Sequence, residues 1–159
     1  MKRALVLYHS LFGNTKTVAM SLAKGIEESA IEVDCLSIDE VEINEIPKYN
    51  LIAIGSPTHM IRPSKEMKDF LSRLRTIELK DRFGFSFDTR NESRMNKRSL
   101  LVLENSAARS IEGIMKRMKM KIIKSRVSAI VHGREGPLDI GVEEYFHQIG
   151  REIGSLLAN

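Results

Sequence analysis

Tryptophan is absent from these 159 residues, and cysteine occurs once, as Cys35. A single thiol excludes an intrachain disulfide and any metal site built from several cysteines. Apolar runs are short. None approaches the roughly 20 consecutive apolar residues of a membrane-spanning helix. The apolar stretch after Lys2-Arg3 stops at Tyr8-His9-Ser10, short of the roughly 7–15-residue core of a secretory signal. The expectation is a cytoplasmic chain without membrane association. Internal repeats and low-complexity linkers are also missing, so residues 1–159 are expected to form a single domain. Neither G-x-x-x-x-G-K-[ST] nor G-x-G-x-x-G occurs, which removes two common phosphate-binding loops. No carboxylate pair, nucleophile–base arrangement or His/Cys metal spacing stands out, so no catalytic or metal-ligating residue is assigned.

Charge is present but unevenly spread. From Glu27 to Ile46 there are eight acidic residues and no Lys or Arg, whereas Arg94 to Arg126 carries ten basic residues against Glu104 and Glu112. Such a dipolar surface steers an acidic partner toward one side, and it reads equally as a solvated basic helix. Aromatic platforms are missing between Arg94 and Arg126, which argues against single-stranded nucleic acid as the partner.

Apolar periodicity switches repeatedly between strand and helix. Ala4–Tyr8 and Leu51–Gly55 are continuous apolar runs, the signature of strands buried on both faces. Ile31–Cys35 alternates, as an edge strand does. Phe83-Gly84-Phe85-Ser86-Phe87 places three Phe on one face, and Val127–Val131 supplies a fifth strand. Between them, Val18, Ala19, Leu22 and Ile26 fall at helical spacing. So do Met67, Phe70, Leu71 and Leu74, then Ile111, Ile114, Met115 and Met118. A last helix carries Val142, Phe146, Ile149, Ile153 and Leu156. Parallel pairing requires such crossovers, so an α/β, doubly wound, five-stranded parallel sheet is expected. Residues 91–105 resist the pattern: polar and basic at first, then Leu100-Leu101-Val102-Leu103. They read as an irregular insertion that fits an extra strand, a helical turn or a flap.

In a doubly wound sheet, ligands bind beyond the carboxyl ends of the strands. The loop after the first strand reads Ser10-Leu11-Phe12-Gly13-Asn14-Thr15 and runs straight into a helix. Amides at a helix N-terminus form a ready anion site, and Gly13 permits a positive φ. Plain capping by Ser10 or Asn14 explains the same residues. The loops after strands three and four read Pro57-Thr58-His59-Met60-Ile61-Arg62 and Asp88-Thr89-Arg90.

Taken together, these segments resemble the flavodoxin family. Ser10–Thr15 is similar to its T/S-x-T-G-x-T phosphate loop, with Phe12 in place of a Thr. Gly55-Ser56-Pro57-Thr58 and Phe87-Asp88-Thr89-Arg90 are similar to its later loops, and Gly133-Arg134-Glu135-Gly136-Pro137-Leu138 to the element before its last helix. The resemblance implies a three-layer fold with strand order 2-1-3-4-5 and one FMN. It places the phosphate at 10–15 and the flavin ring between the loops at 56–62 and 88–91. It also implies redox partner proteins served by an electron carrier.

Two departures qualify the family pattern. None of Tyr8, Tyr49 and Tyr145 lies in a ring loop, so His59, Met60 or Ile61 is expected to cover the inner face. The outer face falls to Arg90 or the 91–105 segment. Residues 56–63 also contain no Gly, and positive φ at Met60 or Ile61 is expected to be costly. Cations at Arg62, Arg90 and Arg94 are expected to raise the flavin potential relative to acidic relatives. Two alternatives stay open: an FMN-dependent NAD(P)H:quinone or flavin reductase or oxidase, and a flavin-free module using the basic 94–126 surface.

Overall fold

The computed structural model describes residues 1–91 and 105–159. The irregular insertion expected at about 91–105, the run Leu100–Leu103 and Arg94 lie, apart from Asn91 and Asn105, outside the described residues.

The continuous apolar runs sit where two-sided burial puts them. Strands β1 (Arg3–Tyr8) and β3 (Leu51–His59) are central and parallel, and β2 (Glu32–Ser37) flanks β1 at the edge. After β4 (Arg62–Pro63), β5 (Phe83–Asn91) pairs with β3 in register from Leu51↔Phe83 to Pro57↔Thr89. The fifth strand is broken. Both β6 (Lys121–Ile122) and β7 (Val127–Val131) run parallel to β5, β6 beside its start and β7 beside its end. The sheet order is therefore the expected 2-1-3-4-5, realised with seven strands. The two additional strands are the second half of the split edge and β4, which folds back antiparallel on β3.

Successive side chains of a strand point to opposite faces, and this builds two cores. Ala4, Val6, Leu51, Ala53, Phe85 and Phe87 face helices α1 (Asn14–Glu27) and α4 (Val142–Ala158). Leu5, Leu7, Ile52 and Ile54 face α2 (Lys65–Leu74), α3 (Ala107–Arg117) and a 3-10 turn at Ile43–Lys48. Met115, Met118 and Met120 fill the second core. The buried stripe of α4 runs through Phe146, Ile149, Ile153 and Leu157, while Leu156 is 52% exposed. The residue four positions after Ile153 keeps the helical face, so Leu157 takes the core position expected for Leu156. Helix α1 lies against α4 with Gly25 and Gly150 at the contact. A Cβ on Gly25 would stand 2.1 Å from the His147 carbonyl oxygen.

Buried Glu112 of α3 braces the split edge strand. Its carboxylate accepts from the Arg126 amide (3.0 Å) and guanidinium (3.1 Å) and pairs with Lys116. Burial pushes this carboxyl up, but the Arg126 amide and the Lys116 ammonium outweigh it and hold the group below its ordinary value. A depressed folded value contributes stability that is present above the unfolded pKa and lost as pH falls through the folded one. Glu112→Gln is expected to cost about 1–3 kcal/mol near neutrality. In paired thermal melts its deficit against the parent should shrink below about pH 4; a deficit constant with pH overturns this role.

Candidate functional site

The chain leaves β1 through His9, whose amide donates to the Gly55 carbonyl, and turns at Ser10–Gly13 into α1. Gly13 is the N-cap at φ 94, a left-handed conformation that glycine takes without strain. The space beside it is open, so the angle rather than the volume selects glycine. Ser10 Oγ accepts from the Gly13 amide at 3.0 Å. The first helical bond is Thr17 N–H to Gly13 C=O, and Thr17 Oγ1 donates to the same carbonyl. Ser10 therefore caps the turn, Thr17 bonds back into the helix, and α1 has no side-chain cap. The amides of Leu11, Phe12, Asn14, Thr15 and Lys16 donate to no acceptor among the described residues. No carboxylate sits in the first turn. Five unspent donors at the positive end of a helix suit an anion.

The opposite wall is the β3–β4 hairpin, closed by the pair His59↔Arg62 with Met60 and Ile61 at its tip. Met60 adopts φ 63, the positive angle expected to be costly in a loop without Gly. Two-residue hairpin turns need such an angle to match strand twist, so closure of the hairpin outweighs a strain of about 1–2 kcal/mol. The hairpin base is braced from below. His9 Nδ1 shares a hydrogen bond with Ser64 Oγ (2.8 Å), and Ser64 caps α2 through the Met67 amide. Thr58 Oγ1 donates to Asp88 Oδ2 at 2.8 Å and accepts from the Ala107 amide, while the Ala108 amide also donates to Asp88.

Between these walls lies a cavity of about 300 Å³, at the small end of pockets that hold organic ligands. Of the residues expected to bind a cofactor, Ser10, Leu11, Phe12, Asn14, Thr15, Pro57, Thr58, His59, Met60, Thr89 and Arg90 line it. Thr15 and Thr89 share a 2.9 Å hydrogen bond that joins the first loop to β5. Four expected residues do not line it. Gly13 shapes the turn, and Ile61 is in the hairpin tip but off the wall. Arg62 faces a groove between α2 and α3 instead. Asp88 is fully buried, with Oδ2 held by the Thr58 hydroxyl and the Ala108 amide at the start of α3, while Oδ1 has no hydrogen-bond partner among the described residues.

Asn91, at the end of the expected 88–91 loop, also lines the cavity, together with three residues the sequence reading did not assign to the cofactor: Val131, Gly133 and Arg134. The last two belong to the β7–α4 loop, which Asn14 reaches by donating from Nδ2 to the Glu135 carbonyl. The Arg134 guanidinium lies 5.9 Å from the Phe12 ring centroid, a cation–π contact at the position where a Thr hydroxyl is missing. Similarity around Gly133–Leu138 was the available signal, but nothing local tied it to the first loop. Exposed apolar side chains gather at this rim: Leu11 (48%), Phe12 (46%) and Met60 (64%). No Tyr lines the cavity. Burial, reinforced by Glu27 and Glu40, pushes the Cys35 thiol up to about 11, which disfavours the reactive thiolate. Among the described residues no His/Cys/Asp/Glu cluster could hold a metal, and no helix is long and apolar enough to cross a membrane.

A doubly wound α/β sheet with a donor-lined anion loop and a half-apolar cleft at its carboxyl edge defines a nucleotide-cofactor class of protein. This chain belongs to the flavodoxin family, whose model matches residues 6–148. It is 28% identical over 80 residues to a probable flavodoxin 1 of Bacillus subtilis, covering 50% of this chain and 51% of that protein. It is 26% identical over 102 residues to an NAD(P)H dehydrogenase (quinone) of Paracoccus denitrificans, covering 52% and 49%. The chain thus spans about half the length of these two curated relatives. A solved flavodoxin from the domain Archaea superposes with a TM-score of 0.77 at 22% identity, covering 96% of both chains, and shares the fold.

Proposed function

We propose that this chain is a one-domain, cytoplasmic electron carrier that holds one FMN noncovalently and passes electrons between redox partner proteins. The observation that carries the reading is the set of five unspent amides at 11, 12 and 14–16, four of them on residues that line the same cavity as the hairpin and the end of β5. These residues fit the cofactor. The amides and Asn14 receive the phosphate, and the cation of Arg134 stands beside the Phe12 position. His59, Met60 and Pro57 line one wall of the ring site, with Thr89 and buried Arg90 across from them. The flavin supplies the one- and two-electron chemistry, and the protein supplies orientation and local charge. Arg90 is the cation placed to raise the potential, by favouring an anionic reduced ring.

Half-length similarity to an NAD(P)H dehydrogenase (quinone) supports a second reading, an FMN-dependent reductase. The carrier leads because, among the described residues, no pair on the cavity wall forms an acid–base arrangement. The test is a titration of refolded apoprotein with FMN and riboflavin, followed by addition of NADPH and a quinone. One equivalent of FMN should bind and perturb the flavin absorption, with riboflavin weaker by at least tenfold. NADPH should leave the bound flavin oxidised. A protein indifferent to FMN overturns the reading, and rapid NADPH-dependent bleaching transfers it to the reductase.

A further inference from the structure

A second charged feature lies outside the flavin site. Two grooves between α2 and α3, of about 330 and 540 Å³, meet at Arg75 and form one channel along that face. Its walls carry six exposed cations: Arg62, Lys68, Arg75, Lys80, Arg117 and Lys119. Their side chains make no ion pair, hydrogen bond or ring contact with any described residue. Elsewhere on the surface Lys48, Lys116, Lys124, Arg126 and Arg151 are paired with carboxylates, while the unpaired Lys16, Lys24 and Lys65 line neither groove. Among the described residues, Glu78 is the one carboxylate on the channel walls. Six like charges held along one channel repel each other and destabilise the folded chain slightly, a cost that an opposite surface relieves.

We infer that this channel is the docking surface for an acidic protein partner. The floor decides between protein and nucleic acid. Leu71, Ile77, Ile114 and Met118 supply an apolar base, and no aromatic side chain is available for base stacking. An acidic rim with an apolar centre complements it, the usual layout of a protein interface. The channel also touches the cavity wall, since Arg62 pairs with His59 across the β3–β4 hairpin. A partner seated on Arg62 and Lys68 therefore sits beside the hairpin that borders the cofactor cavity. That last step, electron passage at this end of the channel, rests on the flavin reading; the binding itself does not.

The test uses a fluorescent helical peptide with an apolar Leu stripe flanked by Glu, titrated by anisotropy into the FMN-loaded and FMN-free full chain at low salt. Lys68→Glu and Arg75→Glu are each expected to weaken binding by about fivefold. Lys24→Glu makes the same charge change on α1, on the opposite face, and is expected to shift it less than twofold. Affinity should fall steadily as salt shortens the screening length. Equal binding by loaded and empty protein supports the docking surface even if the flavin reading fails. Three results overturn the inference: indifference of the peptide to both channel variants, tighter binding of duplex DNA than of peptide at the same salt, or Arg75→Glu-sensitive self-association in sedimentation. The last would seat the acidic Asp39–Glu45 edge of a second copy in the channel.

Discussion

Asn14→Asp is expected to weaken FMN binding at least a hundredfold while leaving riboflavin affinity within about threefold. Asn14 is the first residue of α1 and lines the cavity beside three unspent helical amides. A carboxylate there stands within a few ångströms of a group carrying about two negative charges. At an effective dielectric constant near 20, one pair of like charges so close costs about 3 kcal/mol, and a hundredfold loss needs about 2.8. Folding should hardly change. The variant loses the bond from Nδ2 to the Glu135 carbonyl, worth about 1 kcal/mol, and gains about 0.3–1 kcal/mol from a negative charge at a helix N-terminus. Apoprotein melting temperature and the two ligand affinities, measured side by side, separate these effects. Equal loss of FMN and riboflavin would mean that no phosphate sits in the Ser10–Thr15 loop.

The parts of the molecule that were legible in the sequence share a cause: each is specified within one segment. Leu51–Gly55 is apolar throughout because both faces of a central strand are buried, and that burial leaves a local trace. The turn at Ser10–Thr15 into α1 is legible because a helix start needs only a glycine and small polar neighbours. What stayed hidden depends on distant pairing. Asp88 reads as a ligand in its own loop, and only the arrival of Thr58 and the start of α3 turns it into a buried brace. Arg134 reaches the site because Asn14 ties down a loop some 120 positions later in the chain. Met60 takes a positive φ because strands β3 and β4 pair on either side of it, a constraint invisible to residue preference. At the break between β6 and β7, Arg126 is likewise held by a buried carboxylate on another element, Glu112.

The same reasoning identifies a remote residue on which the site depends. Gly150→Ala is expected to destabilise the protein by about 3 kcal/mol or more, whereas Gly113→Ala should stabilise it by about 0.5–1 kcal/mol. Both glycines are helical, so intrinsic preference favours alanine equally at each. Their surroundings differ. A Cβ on Gly150 would lie 2.2 Å from the Leu22 carbonyl oxygen and 2.9 Å from the Gly25 Cα, and these are backbone atoms that no rotamer change can move aside. On Gly113 the nearest atom is the far end of Arg117, at 3.9 Å. Room for Gly150→Ala comes only if α1 and α4 separate, which opens the core around Leu22, Ile26, Ile149 and Ile153. For a chain of this size the loss corresponds to a fall in melting temperature of roughly 6–12 °C. Because α1 carries the Ser10–Thr15 loop at its other end, the displacement should also weaken FMN if that loop holds the phosphate as proposed, and saturating FMN should then recover part of the lost temperature by mass action. If Gly150→Ala melts with the parent, the close approach of α1 and α4 is not what holds the loop in place.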